Sequence, residues 1–276
     1  MRYLKKTFEY LFILEKGKRF AVISVLSLPV SIVFAWLFPS GKYTTWLANY
    51  NNRPNTFWDA WTFNSGGYQY WIALLLAFIL IMIFVSMSVN IISRSLRIGI
   101  FKVKSLLTEL NDSFFPVLHG TLTYIILLSI YKTILSLLLM FWQNISNSHV
   151  YFALSLITMI VMFVGAVACF SFTTLYIPIM AFTGVRSRIA IYSSIRKSSS
   201  SLVSLMIAVL IPILIKTLIG SLIALKHDIL LTFITDGVLN ALLFSYMICF
   251  IMIAYYEIEQ LKRQDYPREY FFKNKK

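Results

Sequence analysis

Six apolar runs, each long enough to cross a bilayer, recur along this chain, and no other feature leaves it so few ways to fold. They cover approximately Phe20–Phe38, Tyr70–Ile92, Phe115–Trp142, Val150–Phe182, Val203–Leu225 and Ile229–Tyr256. A transmembrane helix needs about 20 apolar residues, so each run suffices for one span. The expected fold is all-α: a polytopic membrane protein of six transmembrane helices with short cytoplasmic interfacial amphipathic helices. Composition agrees, with 59% hydrophobic and 13% charged residues. Soluble domains carry about 25% charge, which excludes a water-soluble globule. Three parts follow: an N-terminal amphipathic segment, 1–19; the transmembrane domain, 20–256; and a cytoplasmic tail, 257–276.

Net charge is +14, but its distribution points away from nucleic acid. Twenty of the 25 Lys and Arg residues fall in 1–19, 94–113, 183–202 and 257–276, and only Lys42, Arg53 and Lys226 fall in the alternate segments. This is the positive-inside bias, and it alternates correctly across all six spans. Both termini are thereby expected to be cytoplasmic, in the plasma (inner) membrane. Contact with anionic lipid headgroups accounts for the basicity. Cys169 and Cys249 fall inside spans and form no CxxC, so they read as packing residues. The first run is 19 residues long and no small-residue cleavage site follows it, which argues against a cleavable signal peptide.

Residues 1–16 are too charged to span. Tyr3, Leu4, Phe8, Leu11 and Phe12 share one helical face opposite Arg2, Lys5, Lys6 and Glu9, the pattern of an interfacial helix that Gly17 would end. The external segment Pro39–Gln69 is rich in Trp, Tyr and Phe and reads as an aromatic belt, or as a lipid- or sugar-binding platform. Leu96, Ile100, Val103 and Leu107 predict a second interfacial helix, and 185–201 a third, its end weakened by a four-serine run. The long fourth span should tilt or break near Pro178, with Gly165 and Cys169 as a small-xxx-small contact. The tail reads as a continuation of the last helix, solvated and fraying near Pro267. Resemblances between Arg97–Phe101 and Arg188–Tyr192, and between Ile130–Ile134 and Leu214–Leu218, would fit three parallel units, each an interfacial helix and two spans.

The candidate site comes from charges where hydrocarbon should be. Lys216 lies ten residues before Lys226, and Asp236 eight residues after Asp228. At 1.5 Å per residue both sit roughly 12–15 Å below the outer end of the hairpin. Lys132 lies about ten residues below the outer end of the third span, in a polar stripe with Ser129, Thr133 and Ser136. Intramembrane charges face protein or water and mark function by default. The candidate substrate-binding residues are Lys132, Lys216, Asp236, Asn240, Thr133 and Ser136. Two lysines and one aspartate leave a surplus cation suited to an anionic group. Alternatively, Asp236 pairs with one lysine for helix register while the other snorkels outward.

No HExxH, G-x-S-x-G or Walker A pattern occurs, and no span holds paired carboxylates. His149, His227 and Asp228 lie on outer loops without metal-ligand spacing. The chain is therefore expected not to be an enzyme, with no cofactor, no metal and no nucleic-acid partner. Two function classes fit. One is a transporter or permease-like subunit whose connectors at 94–110 and 185–201 dock a cytoplasmic protein such as an ATPase. The other is a non-catalytic membrane scaffold or assembly factor gripping lipids and proteins.

Overall fold

Six helices of the computed structural model are long and apolar enough to cross a membrane: Lys18–Leu37, Trp71–Ile98, Ser113–Trp142, His149–Thr183, Leu202–Ala224 and Ile229–Ile258. The protein is an all-α polytopic membrane protein. The structure describes residues 2–39, 57, 68–99, 101, 110–142, 144–145, 147–224 and 228–265, and these hold helix and turn without strand. The segments 40–56 and 58–67, His227 and the stretch 102–109 lie outside them, and with them most of the aromatic platform and the second expected interfacial helix.

The chain begins with α1 (Arg2–Phe8), a π-helical turn (Glu9–Ile13) and a 3₁₀ turn (Leu14–Gly17). The first span is α2 (Lys18–Leu37). The second is α3 (Tyr68–Leu80) and α4 (Ser86–Ile98), joined by a π-helical turn (Ile81–Val85). Next comes α5 (Leu110–Trp142), the third span. The fourth is α6 (Ser148–Thr173) followed by α7 (Tyr176–Thr183). The connector helix α8 (Ser187–Ser199) precedes α9 (Leu202–Ala224) and α10 (Ile229–Ile258). Asp228 accepts the Leu231 N–H at 3.0 Å as the N-cap of α10.

The last span is the axis of the bundle. α10 packs on α2, α9, α1, α4 and α7, while α5 and α6 close the outer arc between α4 and α9. Most of α10 is therefore buried, including Ser245, Tyr246 and every residue from Ile248 to Tyr256. Hydroxyls bind it to α2: Ser27 meets Ser245 at 3.1 Å and donates to the Ala241 carbonyl at 3.2 Å, and Ser24 meets Ser245 at 3.1 Å.

Proline and chain breaks inside spans free carbonyls that hydrocarbon cannot satisfy, so side chains must do it. Pro212 in α9 has no N–H for the Ala208 carbonyl four residues back, and the Tyr246 hydroxyl of α10 donates to it at 2.9 Å. The fourth span breaks between Thr173 and Tyr176, where Pro178 removes the bond to the Thr174 carbonyl. There the Phe172 carbonyl accepts Ser194 of α8 at 2.8 Å, and the Thr173 carbonyl accepts the Tyr124 hydroxyl of α5 at 3.0 Å. Gly165 and Cys169 are not the close contact that their spacing implies: no atom lies within 4 Å of a Cβ built on Gly165, and Cys169 is exposed. The tight approach is instead at Gly120 of α5, where a Cβ would stand 2.5 Å from the Ile177 side chain of α7.

Both terminal segments depart from the sequence expectation. The buried N-terminal face is Tyr3, Thr7, Tyr10, Leu11 and Leu14, at helical spacing, while Phe8 and Phe12 are exposed. Arg94 to Ile98 belong to the second span, not to a separate helix. Up to residue 265 the tail does not extend the last helix, and Pro267 lies outside the described residues. α10 ends at Ile258, Gln260 adopts φ +53°, and the Leu261 N–H returns to the Tyr256 carbonyl at 2.9 Å, a Schellman stop. Residues 261–265 then run back to α4, where the Gln264 N–H caps the Leu96 carbonyl at 3.0 Å.

Candidate functional site

One face of α10 carries Asp236, Gly237, Asn240, Ala241 and Ser245, all buried. These positions follow helical spacing and turn toward the bundle. Asp236 is 0% exposed and Asn240 7%. Lys216 lies half-buried on the neighbouring α9, which packs against α10. Counted from the helix ends at Ala224 and Ile229, Lys216 and Asp236 lie within about 12 Å of the loop end. An ammonium-bearing and a carboxylate-bearing position thus stand at one depth on two packed helices. The ammonium of Lys132, on α5, sits 5.3 Å from the centre of the Phe38 ring, just past the end of α2. That is a cation–π distance.

The rest of the polar stripe on α5 is engaged along its own helix. Thr133 donates to the Ser129 carbonyl at 2.9 Å, and Ser136 to the Lys132 carbonyl at 2.7 Å. Such back-bonding is the usual fate of an intrahelical hydroxyl, and it leaves the charged groups as the chemistry of this level. Running away from Asp236 and Asn240 toward the termini is the α2–α10 hydroxyl ladder of Ser24, Ser27 and Ser245, with Ser31 buried beside it. Sequence reasoning missed it, although Ser24, Ser27 and Ser31 stand at i, i+3 and i+7.

A second charged cluster, also missed, closes the end where the two termini meet. Arg19, the second residue of α2, is 2% exposed. It donates to Asp265 of the tail at 3.0 Å and to Glu15 at 3.0 Å. Arg263 reaches the same Asp265 carboxylate twice, at 3.0 and 2.9 Å. The Arg19 guanidinium lies 4.6 Å from the centre of the Tyr10 ring and 5.9 Å from that of Phe101. Burial pushes the Tyr10 hydroxyl well above its ordinary titration range, so it stays protonated beside Ser95. Further out, Glu257 takes Arg2 at 2.7 Å and Lys6 at 2.6 Å, and Lys197 of α8 takes Glu259 at 2.6 Å. Only the i, i+4 pair Glu15 and Arg19 was visible in the sequence; Asp265 lies 246 residues from Arg19.

His149 is exposed, Asp228 serves as a helix cap, and His227 lies outside the described residues. Among the described residues no three His, Cys, Asp or Glu side chains are placed to hold a metal ion. No family model matches the chain, and comparisons with curated proteins and with solved structures return no match.

Proposed function

We propose that the chain is a permease-like transport protein of the plasma membrane, with both termini cytoplasmic and an anion-accepting site in the outer half of the bundle. The observation that supports this reading is the burial of Asp236 and Asn240 on α10, level with the half-buried Lys216 on the adjacent α9. A buried pair is costly to desolvate and is retained where it does work or fixes register. An anionic ligand would compete with Asp236 for Lys216, with Asn240 one turn away as a neutral hydrogen-bonding group and Lys132 as the second cation. Thr133 and Ser136 shape the wall of α5. The cation excess on the terminal end supports the orientation.

The test is water access. In a variant with Cys169 and Cys249 replaced, cysteines are placed singly at Lys216, Asn240 and Ser136 and exposed to a membrane-impermeant thiol reagent from each side. A transport site is labelled from the loop side, and soluble anions slow the labelling. Complete resistance at all three positions from both sides would mean a dry contact and would remove this reading.

The second reading, a non-catalytic scaffold or assembly factor, is favoured by one observation: α8 is held in the bundle by one face and leaves the other exposed. Co-purification separates the two. A stoichiometric ATPase would support the permease subunit, and envelope-assembly proteins the scaffold.

A further inference from the structure

The connector helix α8 has two faces of opposite kind. Ala190, Ser194 and Ser198, at i, i+4 and i+8, are fully buried. These small residues let α8 lie against α6, α7 and α9, and Ser194 fastens it to the broken fourth span. On the outward face Ile189 is 54% exposed, Tyr192 68% and Ile195 43%. Arg186, Arg188 and Arg196 are exposed beside them, whereas Lys197 turns in to Glu259. From 184 to 202 the sequence contains no Asp or Glu.

The N-terminal segment repeats this design at the same end of the bundle. Phe8 and Phe12, stacked at 5.7 Å, and Ile13 at 70% exposure point outward, with Lys5 and Lys18 exposed nearby. α1 and α8 both touch α9, whose Val203 and Ile207 are themselves exposed. Apolar side chains ringed by guanidinium groups are poorly placed in water and equally poorly placed in hydrocarbon. The boundary between acyl chains and headgroups suits both kinds. Guanidinium pairs bidentately with phosphate, and no carboxylate on α8 competes for it.

From this charge complementarity we infer that the outward face of α8 is a binding surface for anionic phospholipid, with Arg186, Arg188 and Arg196 holding phosphate groups while Ile189, Tyr192 and Ile195 enter the acyl boundary. The N-terminal segment grips the same leaflet on the other side of α9. This assignment is independent of any transport role.

The experiment uses the full-length protein in detergent, titrated with phosphatidylglycerol or phosphatidylcholine, with retained lipid counted by native mass spectrometry. The wild type is expected to hold phosphatidylglycerol in preference to phosphatidylcholine, less so as salt rises. The triple variant R186Q/R188Q/R196Q should bind it on the order of tenfold to a hundredfold more weakly. The charge-conserving R186K/R188K/R196K should recover much of the binding, which separates charge from folding. Equal retention of the two lipids, or undiminished phosphatidylglycerol binding by the glutamine variant, would overturn the assignment. So would a stoichiometric protein partner lost from the glutamine variant while its lipid binding persists, since the face would then belong to a protein.

Discussion

The two halves of α10 are built on different terms. Toward the termini, from Ser245 to Tyr256, all of its side chains but Met247 are buried. The N-terminal segment covers the side that lipid would otherwise touch, with Phe8 5.7 Å from Tyr246. Toward the loop end, Ile234, Val238 and Leu242 form an exposed stripe at 53, 51 and 40%, while Asp236 and Asn240 face inward. Each half has a buried ionic element. The terminal one is geometrically complete: Asp265 is held by Arg19 and Arg263 with bonds of 2.9–3.0 Å. At the loop end, Asp236 is buried level with the half-buried Lys216 of α9. α10 is thus clamped at its terminal end by a complete ion cluster, while its loop end combines an exposed apolar stripe with a buried carboxylate.

The sharpest way to break this comparison is to remove Asp265. Asp265→Ala takes away the carboxylate that Arg19 and Arg263 share, leaving Glu15 on Arg19, and removing one partner of a buried pair costs about 3–5 kcal/mol. Thermal unfolding of the purified protein in detergent should show that loss, and Asp236→Ala should cost less. An Asp236→Ala penalty equal to or above that of Asp265→Ala would mean that the outer half is the anchor instead.

The next effect isolates the tail. Gly99 ends α4 with φ +75°, and a Cβ there would stand 2.5 Å from the Gln264 backbone oxygen. Gly99→Ala therefore meets both the left-handed strain and a rigid neighbour, at roughly 1–3 kcal/mol. Limited proteolysis should cut at 261–265 much faster in this variant, because the Gln264 cap on Leu96 is lost. Unchanged proteolysis would show that the tail is not held by this contact.

For the outer half the test is coupling, not cost. If Lys216 and Asp236 interact directly, Asp236→Ala and Lys216→Met together should be less harmful than the sum of the two, by about 0.5–3 kcal/mol. Strict additivity in a thermal-shift cycle would dissolve the pair and with it the central group of the proposed site.

How much of this was legible in the sequence follows from the range of each interaction. Span number was, because hydrocarbon forces about 20 apolar residues per crossing, but the end of the second span was not, since its helix runs on to Ile98. The break of the fourth span was legible too, since its length and Pro178 both demand one, and the break falls four residues before that proline. That Lys216 and Asp236 stand at similar depth on adjacent helices was legible, because α9 and α10 are consecutive and close in sequence. Lys132 was placed at that level by depth alone, and its contact with Phe38 has no signature in the sequence. The Arg19–Asp265 pair was hidden because its partners sit at opposite ends of the chain, and no periodicity encodes a tail folding back. The N-terminal face was misread because the segment offers two overlapping apolar stripes, and the one through Tyr3, Thr7, Tyr10, Leu11 and Leu14 is the one buried.

The smallest effect concerns how the tail is aimed. Gln260 occupies the αL position after the last helix, φ +53°, where glycine carries no side-chain penalty. Left-handed backbone costs an L-residue roughly 1–2 kcal/mol, part of which glycine returns as greater entropy in the unfolded chain. Gln260→Gly should therefore raise the thermal midpoint slightly, by up to about 1 kcal/mol of stability. The gain should depend on the clamp: with Asp265→Ala already present, the tail no longer needs that turn and the glycine should have little effect. An equal gain in both backgrounds would mean that the Schellman stop belongs to α10 alone, and that the tail docks without its help.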